Sequence, residues 1–187
     1  MTDLVVWPVL DELLSCLESA FNDWDHPSPP ALICHRTGNG QSIPMFNPAT
    51  KVNECCGGLA WVRLMTNYPT EGDETMSFSS RVSNCFDGEA VTVELGALRC
   101  WPHAGKYATC DDWATNAFNV AEDLAALRRA IKCCWEPAHE GDGLAALRGQ
   151  SRPAGISGQC VGNIIPVTVG QINGNLDCCP PSSPTSP

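Results

Sequence analysis

Asn53–Thr70, NECCGGLAWVRLMTNYPT, is the stretch on which the reading of this chain turns. Leu59, Trp61, Arg63 and Met65 alternate with Ala60, Val62, Leu64 and Thr66, the period-two pattern of a strand, and Tyr68-Pro69 is expected to end it. Two cysteines and two glycines stand directly before it. Further strands are predicted at Ala90–Arg99 (AVTVELGALR) and Asn163–Ile172 (NIIPVTVGQI), with a short fourth at Ala31–His35. Pro166 places the third strand at an edge or a bulge, because proline cannot donate to a ladder.

Helices flank these strands. Val6, Leu10, Leu13, Leu17, Phe21 and Trp24 recur every three or four residues, one face of an amphipathic helix. Pro8 suits its first turn, and the helix should end near Asp25, before the PSPP run. Trp113, Ala117, Val120, Leu124, Leu127, Ile131 and Cys134 mark a second helix, capped by Asp111 or Asp112 and closed by Arg128, Arg129 and Lys132. Glu136–Gln159 reads as a long loop around a short helix, Leu144–Arg148. The repeat of LAALR at 124–128 and 144–148 is too short to indicate duplication. The expected fold is α+β: a mixed or antiparallel sheet of about four strands flanked by two main amphipathic helices, in a single domain over 1–172. Residues 173–187, rich in Cys, Pro and Ser, read as an extended tail that a neighbouring chain orders more easily than its own domain.

Eleven Lys and Arg against twenty-one Asp and Glu give a net charge of −10. That balance argues against a grip on nucleic acid through its phosphates. The first basic residue is Arg36, so the N-terminus lacks the cationic start of a secretion signal, and no apolar run reaches the ~18 residues of a membrane span. The expectation is a protein made in a reducing cytoplasm, where its twelve cysteines are not simply a disulfide framework.

Catalytic and metal chemistry find little footing. No CxxC knuckle occurs among the cysteines, against structural zinc. A cysteine nucleophile would need His26, His35, His103 or His139 within hydrogen-bond reach, and nothing in the spacing selects a pair. GISG at 155–158 lacks the spacing of a serine nucleophile elbow, no phosphate-binding glycine motif occurs, and EGDE (71–74) and EGDG (140–143) read as solvated turns rather than calcium loops. No enzyme activity and no cofactor are expected.

In order, the first helix, ECCGGLAWVRLMTNYPT, GEAVTVELGALRCWP, LAALRRAIKCC and GQCVGNIIPVTVGQI resemble the tail terminators, or head-to-tail connector proteins, in the neck of tailed bacteriophages of actinobacteria. The resemblance spans about residues 3–172. Its most specific parts are Cys-Cys-Gly-Gly-x-x-Trp-Val-Arg, Glu-Leu-Gly-x-x-Arg-Cys and the Cys-Cys closing the second helix. It implies a virion protein, assembled in the host cytoplasm, forming a homohexameric ring. Its partners would be itself, the major tail tube protein and the head-tail stopper or connector, with DNA passing through the lumen unbound and no membrane involved. The alternatives are a head-completion stopper or, in another class, a zinc- or thiol-dependent protein.

On this reading Cys55, Cys56, Cys85, Cys100, Cys133, Cys134 and Cys160 are structural cysteines. If the second helix crosses the sheet antiparallel, strand ends and helix end converge, and such thiols can bridge once the virion leaves the reducing cell. One thiol of each doublet is expected to face the core and the other a partner. Candidates for the subunit interface are Asn67, Tyr68 and Glu71, in the polar stretch 67–83, with Pro166 and Val167 on the expected edge strand and Asn173 at the start of the tail.

Overall fold

The computed structural model describes residues 6–23, 25–37, 57–70, 88–100, 108–139, 146–157 and 160–172. Helix α1 (Val6–Asn22) is followed by strands β1 (Leu32–Arg36), β2 (Leu59–Thr70) and β3 (Gly88–Cys100). Helix α2 (Cys110–Arg129) continues through a π-helical segment, Ala130–Trp135, into a last turn, Glu136–Ala138, and strands β4 (Ala146–Arg148), β5 (Arg152–Ser157) and β6 (Cys160–Ile172) follow. The strands form one mixed sheet in the order β1-β2-β3-β6-β4, with β5 also pairing β6. Only β1 and β2 run parallel. The α+β class, with a mixed sheet and two main helices, is as the sequence predicts.

Among the described residues the sheet has six strands rather than about four, and over 146–148, the described part of the predicted helix Leu144–Arg148, the chain is a strand. Ala146–Arg148 instead pairs with Val167–Val169, and Arg152–Ala154 pairs with Gly162–Ile164. The free ladder of β6 overrides the helical preference of LAALR. Consequently β6 is not the expected edge strand. Its proline fits all the same: the Pro166 carbonyl accepts from the Gly149 N–H (2.8 Å) in the link between β4 and β5. Pro166 N faces the same side, where the ladder is interrupted and no donor is required.

Other boundaries move for local reasons. Helix α1 stops at Asn22, and Asp25 adopts a positive φ of 51° that turns the chain before His26-Pro27. Strand β2 runs through Tyr68-Pro69 to Thr70, held by antiparallel pairing with β3, with a bulge at Met65. The α2 cap is Thr109, two or three residues ahead of the predicted aspartates. Its hydroxyl accepts from Asp112 N–H, and the Asp112 carboxylate accepts from Thr109 N–H, a reciprocal capping box. The paired glycines before β2 also have a reason: Gly58 has φ +83°, and a side chain there would press on the Pro30 backbone (2.8 Å).

Both helices cover one face of the sheet. Leu13, Leu17 and Phe21 of α1, and Leu127, Ile131 and Trp135 of α2 and its extension, close on Val62, Val91, Val93, Leu95, Ile165 and Val167. A smaller cluster on the opposite face joins Leu59, Trp61, Leu98, Cys160 and Ile164. The helices are also tied covalently: Cys16 of α1 is bonded to Cys134 of the π segment, with a Cα–Cα distance of 5.5 Å. Cys133, grouped with Cys134 in the sequence, is a free and exposed thiol.

Because this bond closes a loop with a sequence separation of 118, Cys16→Ser is expected to lower stability by about 2–4 kcal/mol, and Cys133→Ser by less than about 0.5 kcal/mol. Urea unfolding without reductant checks both, and in added reductant, where the other disulfides are lost from both proteins, wild type and Cys16→Ser should unfold alike.

Candidate functional site

The motif residues of β2 and β3 meet on the sheet face away from the helices. Trp61 stands opposite Gly96, and a Cβ at Gly96 would lie 2.1 Å from the indole Cζ2. Glycine is therefore what lets the indole lie flat across β3. The Trp61 Nε1–H donates to Glu94 Oε1 (3.2 Å). Arg63, the cross-strand neighbour of Glu94, brings Nε to 2.8 Å from the same oxygen, and Arg152 Nη2 stands 3.9 Å from Glu94 Oε2. The Arg36 guanidinium lies 5.2 Å above the Trp61 ring, within cation–π range. Glu94 is 1% exposed, so its charge has little solvent and depends on these partners.

On the helix face a second ion pair is buried. Arg99, at the end of β3, donates Nε–H to Asp123 Oδ2 (2.6 Å) and Nη2–H to Asp123 Oδ1 (2.7 Å), a bidentate fork onto α2. The guanidinium also donates to the hydroxyl and carbonyl of Ser28. His26 brings Nε2 to 3.2 Å from Asp123 Oδ1, off the axis of a good hydrogen bond, while its Nδ1 accepts from Ser28 N–H (3.2 Å). Asn163 Nδ2 donates to Val120 O and Asn116 Nδ2 to Cys100 O, both at 3.0 Å, which fastens α2 to β6 and β3. The cluster pins the 25–31 connection to the helix and the sheet.

Serine, histidine and aspartate come together here without forming a nucleophile. The Ser28 hydroxyl accepts from Arg99, and His26 Nδ1 is committed to a backbone N–H, so no base addresses the hydroxyl. Both side chains of the His26–Asp123 pair are fully buried. Burial holds the His26 imidazole below its ordinary pKa, with Asp123 opposing and Arg99 reinforcing that shift. His35 pairs with Asp11 and packs against Trp7, and His139 pairs with Glu12 and packs against Trp135. Among the described residues no three His, Cys, Asp or Glu side chains converge on a metal position, and no helix is long and apolar enough to cross a membrane.

The predicted site residues scatter. Cys100 and Cys160 are register partners across β3 and β6, and both are disulfide-bonded. Cys134 is bonded to Cys16, which the sequence reading left out although it lies on the buried face of α1. Cys55, Cys56, Cys85, Glu71 and Asn173 lie outside the described residues. Asn67 is exposed on β2, and Tyr68 is paired through its backbone with Ala90. Val167 is fully buried beneath the helices, and Pro166 is half-buried on an interior strand. Val167 is therefore core, unavailable to a second subunit.

No protein family model matches the chain, and no curated protein matches it.

Two measurements test the buried charges. Glu94→Gln removes the carboxylate that the buried Arg63 faces at 2.8 Å and should cost about 3 kcal/mol in urea unfolding, while Arg63→Met with Glu94→Leu should recover most of the loss. For His26 the unfolded chain takes up a proton near pH 6.5 and the folded chain only below that, so the unfolded state binds more protons as pH falls. Stability should decline as pH drops below about 6.5, and the decline should be shallower in His26→Gln; equal slopes would contradict this role.

Proposed function

We propose that the chain is a structural subunit of a tailed-bacteriophage neck, a tail terminator whose ring closes the tail tube, docks to the head connector and lets DNA pass. The observation that carries the reading is the fate of the residues behind the resemblance. Trp61, Arg63, Glu94, Gly96, Arg99 and Cys134 are all spent on locking strand to strand and helix to sheet. The use of these six residues for architecture suits a protein whose work is to hold a shape.

Charge and surface add support. A subunit of net charge −10 lines a channel that repels phosphate, so DNA slides rather than sticks. Trp113 and Phe118 are 37% and 56% exposed on the first half of α2, and Trp7 and Leu32 are 46% and 45% exposed beside β1. Exposed aromatics of this size suit surfaces that other subunits cover. The disulfide between Cys16 and Cys134 would then form after the particle leaves the reducing cell, fixing the helices in the finished virion.

Light scattering and negative-stain imaging of the purified chain, with and without the tail tube protein, test the reading. Rings that form alone or on tube ends are expected. A monomer indifferent to the tube would overturn it, and rings that bind the head connector but ignore the tube would identify a stopper instead.

A further inference from the structure

Basic residues are unevenly placed in this acidic chain. Five of its eleven, Arg128, Arg129, Lys132, Arg148 and Arg152, fall between 128 and 152, a stretch with three acidic residues, Glu136, Glu140 and Asp142. Folding brings two of them together: Arg128 near the end of α2 and Arg148 at the end of β4 line an open cavity of about 250 Å³ with Gly149, Ser151 and Ile165. Ile165 is 2% exposed and gives the cavity an apolar wall. Gly149 N–H is already used on Pro166 O, so the polar groups left to a ligand are the two guanidiniums and the Ser151 side chain.

Those guanidiniums are weakly engaged. Arg128 is exposed and makes no ion pair with any described residue, and Arg148 Nε stands 3.6 Å from Glu136 Oε1 with both side chains about a third exposed. A solvated pair at that distance contributes little and exchanges readily. Two planar forks beside a hydroxyl and an apolar wall match a carboxylate on a short aliphatic stem. An assembly of subunits carrying −10 each also needs cationic seats to offset their mutual repulsion.

We propose that this cavity is the seat for an aspartate or glutamate side chain of a second copy of the chain, with Glu136 as its exchangeable internal placeholder. The inference rests on the self-assembly proposed above but not on its place in a virion. Contacts between copies then run from this basic corner to an acidic surface of the neighbour, a heterologous arrangement of the kind that closes rings.

The test is sedimentation velocity of the full chain at 50 and 500 mM NaCl, comparing wild type, Arg128→Gln with Arg148→Gln, and Lys132→Gln as an exposed control outside the cavity. Expected are self-association of the wild type that weakens with salt, a roughly tenfold higher dissociation constant for the double variant at low salt with unchanged thermal stability, and a control like the wild type. A double variant that associates like the wild type overturns the seat; if it still forms rings, the ring reading survives. Arginine-dependent association that never yields a ring, even with tube protein, upholds the seat and overturns the ring. A wild type that stays monomeric at every concentration overturns both.

Discussion

A carboxylate taken out of water must be met by a matching charge, and β3 is organised by that constraint on both of its faces. Glu94 points to one side and is met by Arg63 from β2, while Arg99 points to the other and reaches Asp123 on α2. The strand lies between β2 and β6 at the centre of the sheet, so both ion pairs are set in the least yielding part of the molecule. Their geometry fixes where the helix lies. A slide of α2 along the sheet would break the Arg99 fork, strand Asp123, and release Ser28 and His26 with it.

Around this frame the polar groups are consumed by structure. The buried histidine uses one nitrogen on a backbone N–H and turns the other toward Asp123, and the nearby serine is an acceptor for arginine. Side chains that resemble catalytic machinery in composition thus have no reactive direction left. At the periphery lie exposed aromatics on α2 and α1, the free Cys133 thiol and the arginine-lined cavity at the basic corner. On the proposed reading, a rigid interior with charge-marked borders suits a subunit of a larger body.

Much of this was legible in the sequence. The alternation at 59–66 and 90–99 placed the two central strands, and the helical stripes found both helices. The Glu-Leu-Gly-x-x-Arg string held Glu94, Gly96 and Arg99, the three residues of β3 that matter most. Less visible was Cys16, because the apolar stripe of α1 was drawn through leucines and a cysteine packs as a small hydrophobe only where a neighbour accepts it. Asp123 and His26 gave no local signal, since their partners lie far away in the chain. LAALR at 144–148 carried a misleading one, its helical propensity being weaker than the pull of an open strand edge.

Periodicity and turn chemistry are local properties, and through them the sequence by itself determined the class of fold and the places of the main elements. Tertiary structure alone decided which cysteine meets Cys134, which charge answers Asp123, that β6 lies inside the sheet, and that Arg128 and Arg148 share a cavity. Each of these depends on two segments distant in sequence arriving at one place. No pattern within either segment encodes that distance, because the free energy that selects the pairing exists only once both are buried together.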